Sequence, residues 1–254
     1  MWNGDHRFLL RKLILKDFKI RYRSMSLGAF WSLLNPLVMV GVYTFVFAKI
    51  FKVTSIPHFP LYIMSGVITF NFFAIAWVTG TTSLVDNAVL IKRLPIPREI
   101  VPIASVFSNC IHLGIQIAFL LLFVVFSGLG VSVYWLWLPL ILGIEIVFIC
   151  GISLITSGLN VYVRDTRYIV ESLNLVAFWC VPIMYAITFV PVEYRALYDC
   201  NPVAAAVMAM RSVLIDHQAP SPDLLSKFVL VSFGTLLIGL ITFRQMRSRF
   251  YDYL

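Results

Sequence analysis

The sequence predicts an all-α integral membrane protein, and three observations predict it. Hydrophobic residues fill 60% of the 254 positions, charged residues only 13%, and mean hydropathy is +0.90. A water-soluble domain keeps about a quarter of its residues charged, so lipid must cover the surface that polar side chains leave bare. Six apolar runs reach the roughly 20 helical residues that a hydrocarbon core requires. Basic residues then gather on alternate connections between those runs. No hydrophilic stretch is long enough to bury a core of its own, so one membrane domain is expected.

The elements follow in chain order. In residues 1–29, Leu10, Ile14, Phe18, Tyr22 and Met25 recur at helical spacing, and Arg7, Arg11, Lys16, Lys19 and Arg23 follow on another face. That pattern predicts an amphipathic helix lying along a membrane surface. Residues 30–254 form the membrane domain, with spans at 30–51, 61–85, 100–126, 134–161, 168–189 and 224–243. The third and fourth exceed what the bilayer needs, which predicts tilt. Tyr134, Trp135 and Trp137 suit a membrane–water interface. Between the last two spans, Val203 to Ile215 is apolar but too short to cross. Asn201 is suited to cap a helix there and Pro202 to begin it, so 201–216 is expected to dip into the membrane from the outer face and return. Ser221, Pro222 and Asp223 repeat the same start signal before the last span.

Charge sets the expected orientation. The N-terminal segment, the connections at 86–99 and 162–167, and the C-terminal tail together hold 15 of the 20 basic residues. The excess of Lys and Arg on cytoplasmic connections then places both termini in the cytoplasm. The net charge of +8 reads as a topology signal with attraction to anionic lipid headgroups, and nucleic acid is not an expected partner. Cys110, Cys150, Cys180 and Cys200 are scattered without metal-ligand spacing, so neither a disulfide framework nor a metal site is expected. The basic N-terminal stretch does not read as a cleavable signal peptide; the first apolar run serves as the insertion signal.

Chemistry-bearing residues are few. No GxxxxGK[ST] phosphate loop, HExxH or GxSxG motif occurs, so the chain is not expected to be an enzyme by itself and no catalytic residue is assigned. His112 and Glu145 lie near the middle of spans three and four at similar depth. They read as a packing contact, with Gln116 nearby, or as a proton relay. Arg211, on the short apolar segment, can meet an anionic substrate or reach the outer headgroups. Aromatic residues make up 15% of the chain, and Trp31, Tyr43, Phe70, Phe73, Trp77, Phe178, Trp179 and Tyr185 are candidates to line a path for a sugar polymer, because rings stack on the apolar faces of sugars. In the connection 86–99, Lys92, Arg93, Pro95, Pro97 and Arg98 form a stiff, basic element that can press on a cytoplasmic partner.

Four stretches carry a family resemblance: DFKIRYRSMSLGAFWSLLNPL at 17–37, KRLP at 92–95, LNVYVRD at 159–165 and LYDCNP at 197–202. In this order they resemble the membrane permeases of polysaccharide-exporting ABC-2 transporters, and the resemblance covers essentially the whole chain. It implies a six-helix fold of the type V exporter kind that pairs as a homodimer with two copies of a separate ABC ATPase, which would bind the ATP and Mg that this chain does not. It implies that the N-terminal helix, with Arg21 and Arg23, sits beside that ATPase, and that Lys92 to Arg98 transmit its motion. The short helices between spans five and six would cap the outer end. The implied cargo is a lipid-linked polysaccharide crossing a bacterial inner membrane, O-antigen first, with teichoic acid or capsule next. Two other readings stand beside it: an ABC-2 permease for a drug or lipid, and an ion-coupled secondary transporter using Glu145 and His112.

Overall fold

The computed structural model describes residues 6–22, 31–50, 56–93, 96–247 and 250–253, and these contain no strand. Arg23 and Pro95 therefore lie outside the described residues, as does the side chain of Arg21. The helices are α1 (His6–Tyr22), α2 (Trp31–Thr44), α3 (Phe59–Asp86), α4 (Ala88–Arg93), α5 (Ile100–Phe126), α6 (Leu138–Tyr162), α7 (Thr166–Cys180), α8 (Val192–Cys200), α9 (Pro202–Leu214), α10 (Pro222–Met246) and α11 (Phe250–Tyr253). Among the described residues, four stretches are long and apolar enough to cross a membrane: Phe59–Asp86, Ile100–Phe126, Val133–Tyr162 and Pro222–Met246. The third of these includes a 3-10 turn, Val133–Trp137, that leads into α6. The chain is thus a multi-pass helical membrane protein.

The other two expected spans depart from a plain crossing helix. α2 is continued by a π-helical turn over Phe45–Ile50. α7 ends at Cys180 rather than at Phe189. Pro182 accounts for the stop, since proline lacks an N–H and disfavours helical geometry in the residue before it. Residues 181–191 run on as a bent, irregular chain with one 3-10 turn, Ile187–Phe189.

Two apolar clusters organise the bundle. The larger joins α3, α5, α6, α9 and α10. α3 is apolar on every side and most of its length is buried, as a helix surrounded by other helices must be. α9 is enclosed as well, and Ala204, Ala205 and Ala206 have no exposed surface; side chains this small let it fit among α3, α6 and α10. Helices without a hydrophobic drive to associate in lipid pack through small residues, and α6 against α10 follows this rule. A Cβ on Gly151 would stand 2.6 Å from the Leu236 nitrogen, so only glycine permits that crossing. The Thr81 and Thr156 hydroxyls bond across α3 and α6 at 2.7 Å.

The second cluster gathers Leu9, Leu13, Leu84, Ile91, Ile96, Val101, Val161, Phe243 and Phe250. It places α1, the connection after α3, the end of α6 and the C-terminal helix at one end of the bundle, here termed the basic end. The expected surface helix packs on protein there. Leu9 and Leu13 share the cluster with Val101 and Ala104, and the Phe18 ring stacks on His112, further along α5, at 5.5 Å. α1 therefore runs beside α5. Its buried face is turned toward Leu9 and Leu13, with Leu10 and Ile14 only half-buried.

Candidate functional site

The aromatic side chains of α2, α3, α6 and α7 form a connected column. Tyr43 lies 6.2 Å from Phe178 between centroids, and Phe178 meets Phe70 edge-on at 5.3 Å. Phe70 leads to Phe73 at 5.9 Å, and Phe73 to Trp77 at 5.4 Å and to Phe148 at 6.0 Å. Separations of 4.5–7 Å are those at which rings attract. The α3 face that repeats aromatics at 70, 73 and 77 builds this column, and Phe148 of α6 is a member that sequence reading missed. Its partners lie three helices apart in the chain, so no local pattern points to it.

The column divides by exposure. Phe70, Phe73 and Trp77 are buried within the protomer. Tyr43, Phe178 and Tyr185 are half-buried, whereas Trp31 and Trp179 are 48% and 68% exposed. Around them α2, the turn that follows it and α7 leave Val38, Val42, Phe45, Leu173 and Val176 uncovered. The exposed part of the aromatic column is thus the α2–α7 edge, with the α3 rings behind it.

Arg211 is buried against the helix break that follows α7. It is 5% exposed, and its guanidinium lies 3.4 Å from the centroid of the Tyr62 ring. Nη2 donates to the Ile183 carbonyl at 2.7 Å and to the Tyr62 carbonyl at 3.1 Å, Nε donates to Tyr62 at 3.3 Å, and Nη1 donates to Pro182. Non-helical backbone at membrane depth is tolerated only where protein satisfies its polar groups. The planar guanidinium does this for the break after α7, and Gly66 leaves room for it, since a Cβ there would stand 2.8 Å from Nη2. Tyr62 and Tyr185 reinforce the break: the Tyr62 hydroxyl donates to the Tyr185 carbonyl at 2.9 Å, and the Tyr185 hydroxyl donates to the Trp179 carbonyl at 2.9 Å and meets the Tyr198 hydroxyl at 3.0 Å. Arg211 lies on the wall of a cavity of about 770 Å³ at the far end, also lined by His58, Arg195, Asp199, Asp216 and Asp223. Asn201 caps α9 beneath it, accepting from the Val203 and Ala204 nitrogens at 3.0 and 3.4 Å.

His112 and Glu145 are not brought together by a hydrogen bond. Both Glu145 oxygens are buried with no hydrogen-bond partner among the described residues, and the His112 ring faces Phe18. Their equal depth is a matter of counting residues; which way each points is set by helix packing.

At the basic end, Lys92 and Arg93 close α4 and are exposed, and Pro97 is half-buried. Arg98 donates to the Arg247 carbonyl, its guanidinium lies 5.9 Å from the Phe250 ring, and Arg247 pairs with Glu99 at 3.3 Å. The Tyr162 hydroxyl donates to the Met246 carbonyl at 2.6 Å. The basic connection is therefore fastened to the end of α10 and to α11, a link across about 150 residues of chain that its composition does not reveal.

Comparison with known proteins shows that the profile of the ABC-2 type transporter family matches residues 9–215. The chain belongs to this family. Several relatives align along nearly its whole length. The O-antigen export system permease protein RfbA of Klebsiella pneumoniae is 30% identical over 97% of this chain and 95% of its own. The protein of the same name from Myxococcus xanthus is 24% identical over 98% and 96%. The polysialic acid transport protein KpsM of Escherichia coli is 22% identical over 91% of both. The match from residue 9 takes α1 into the ABC-2 domain, in keeping with its packing on α5.

Proposed function

We propose that this chain is the membrane permease of an ATP-driven exporter that moves lipid-linked polysaccharide out of the bacterial cytoplasm across the inner membrane. O-antigen is the first expected cargo, with teichoic acid or capsular polysaccharide next. The observation that carries this reading is the end-to-end likeness to the RfbA permease of Klebsiella pneumoniae, with no large insertion or loss. Two copies of the chain face each other across their α2–α7 edges, and the cargo passes between them against Trp31, Tyr43, Phe178, Trp179 and Tyr185. Aromatic rings at this edge suit a sugar polymer because stacking on sugar faces tolerates sliding. Two copies of an ABC ATPase at the basic end supply the energy, with ATP and Mg held on that partner. Lys92, Arg93, Pro95, Pro97 and Arg98, with Arg21 and Arg23 of the N-terminal segment, meet the ATPase. The concentration of positive charge at this end supports its placement in the cytoplasm.

Reconstitution in vesicles together with the ATPase tests the proposal. Lipid-linked glycan should cross only when ATP is hydrolysed, and combined replacement of the exposed Trp31 and Trp179 by Ala should reduce transport at least tenfold while leaving the complex intact. Transport by the permease alone, driven by an ion gradient, would overturn it. ATP-driven movement of small drugs or lipids with no glycan transport would replace it with the other ABC-2 reading.

A further inference from the structure

A second polar site stands at the basic end, away from the aromatic edge. A cleft of about 410 Å³ opens between α1, α3 and α5, lined among others by Lys16, Asp17, Thr79, Ser83, Asp86 and Ser108. Its size falls in the range of about 300–1,000 Å³ typical of small-ligand sites. Ser83 and Ser108 are 3% exposed, so these polar side chains belong to the interior of the bundle. The hydroxyls spend their protons on their own helices: Thr79 donates to the Ile75 carbonyl at 2.9 Å, Ser83 to Gly80 at 2.7 Å and Ser108 to Ser105 at 2.8 Å. The Thr79 oxygen also accepts from the Asn109 side-chain amide at 2.9 Å; Ser83 and Ser108 present oxygen lone pairs to the cleft, joined by the carboxylates of Asp17 and Asp86. Such a lining accepts hydrogen bonds, and it suits a ligand that carries many hydroxyl donors.

The rim has the opposite character. Lys12, Lys16 and Lys19 follow one another at four and three residues along α1, which puts them on one helix face. They line a groove of about 390 Å³ with Leu15 and Ile20, whose side chains are 40% and 61% exposed. The groove and the cleft share Lys16 and Ile20. Lys16 bridges them: its ammonium donates to the Asn87 side-chain oxygen and pairs with Asp17 at 3.1 Å. The two carboxylates would repel a phosphate from the cleft itself, while the lysines attract one to its rim. Exposed apolar side chains beside the lysines offer a surface for a hydrocarbon chain.

We propose that this composite site binds the phosphate-linked sugar at the lipid end of the cargo. The phosphates rest on Lys12, Lys16 and Lys19, the adjoining sugar enters the cleft between α1 and α3, and the carrier's hydrocarbon lies against Leu15 and Ile20. Lys16 exchanges Asn87 and Asp17 for the phosphate when the ligand arrives. The assignment rests on the exporter reading and gives it a receiving site in the cytoplasmic leaflet.

The test measures binding to the full-length protein in nanodiscs by native mass spectrometry. The probes are farnesyl diphosphate bearing N-acetylglucosamine, farnesyl diphosphate without the sugar, phosphatidylglycerol and phosphatidylethanolamine. The sugar-bearing probe should bind tightest. Replacing Lys12, Lys16 and Lys19 together by Gln should weaken both farnesyl probes by about tenfold or more, since each lysine contributes a charge-assisted bond, and Lys16→Arg should restore part of the loss. Filling the cleft with Thr79→Leu or Ser108→Leu should weaken the sugar-bearing probe and leave the bare diphosphate unchanged, a split that misfolding does not produce. Equal affinity for all four lipids, or a triple variant that binds like wild type, would overturn the site, as would tighter binding of either phospholipid. Vesicle transport, measured separately, bears on the exporter reading: glycan transport that persists while these binding effects are missing removes this inference alone.

Discussion

Arg211→Met is the substitution that most directly probes how the chain is held where α7 ends. Methionine keeps the apolar stem and removes every donor. The carbonyls of Pro182 and Ile183 lose the guanidinium that they share, whereas Tyr62 keeps the Ser65 hydroxyl at 3.0 Å. A buried acceptor left without a partner costs about 1–3 kcal/mol, so the two carbonyls together cost about 2–6 kcal/mol. Loss of the contact with the Tyr62 ring adds about 1–2 kcal/mol for a desolvated pair. Relief of the penalty for burying a charge offsets several kcal/mol of that sum. The net expectation is a local destabilisation of about 2–3 kcal/mol, which amounts to a change of about 30- to 140-fold in an opening equilibrium. Hydrogen exchange at the amides of Ile183, Phe189 and Val190 reads this directly, because each is hydrogen-bonded in the folded break. Their exchange should accelerate by that factor, while amides in the middle of α3 and α6 stay protected. Arg211→Lys should fall between, since one ammonium cannot span carbonyls on two segments as a planar guanidinium does. Gly66→Ala, which crowds Nη2 and touches Ile183, should loosen the same amides in wild type and add less in the Arg211→Met background. Unchanged exchange over 181–190 in a folded Arg211→Met protein would refute the reasoning.

Three further outcomes are expected. Gly151→Val should force α6 from α10, because the new side chain meets the Leu236 backbone; a loss of about 3 kcal/mol or more should appear as a lower thermal midpoint and poor recovery of monodisperse protein. Glu145→Gln should keep transport and its ATP dependence, and Glu145→Leu should stabilise the fold by about 1–3 kcal/mol, because neither carboxyl oxygen has a partner to lose; loss of transport in the Gln variant would revive an ion-coupled role. Arg98→Ala breaks the tie to Arg247 and Phe250 at a stability cost of about 1 kcal/mol, and should leave ATP hydrolysis by the complex measurable while glycan transport falls several-fold.

Much of the fold was legible because the bilayer constrains sequence along the chain. The helices that became α3, α5, α6 and α10 are continuous apolar runs bounded by charge, Pro or Gly, and lipid thickness fixes their length whatever their neighbours are. The starts of α9 and α10 were legible for a local reason as well: Asn201 and Ser221 cap backbone nitrogens two or three residues away. The end of α7 was harder to place. Residues 181–189 are as apolar as a span, and hydropathy does not register that Pro182 breaks the helix or that a distant arginine makes the break tolerable.

The sequence by itself determined that this is a membrane protein with its positive charge gathered at one end, that it holds no phosphate loop, and that an aromatic excess lies in its early and fifth apolar segments. Those properties depend on composition and on spacing along a helix. Tertiary structure decided the azimuths: that Phe70, Phe73 and Trp77 turn inward while Trp31 and Trp179 turn outward, that the His112 ring stacks on Phe18 of α1, and that Arg211 serves backbone 28 and 149 residues away. The physical reason is that burial in lipid asks only for apolar length, whereas the direction in which a side chain points is settled by which helix packs beside it, and that pairing is written in no single segment.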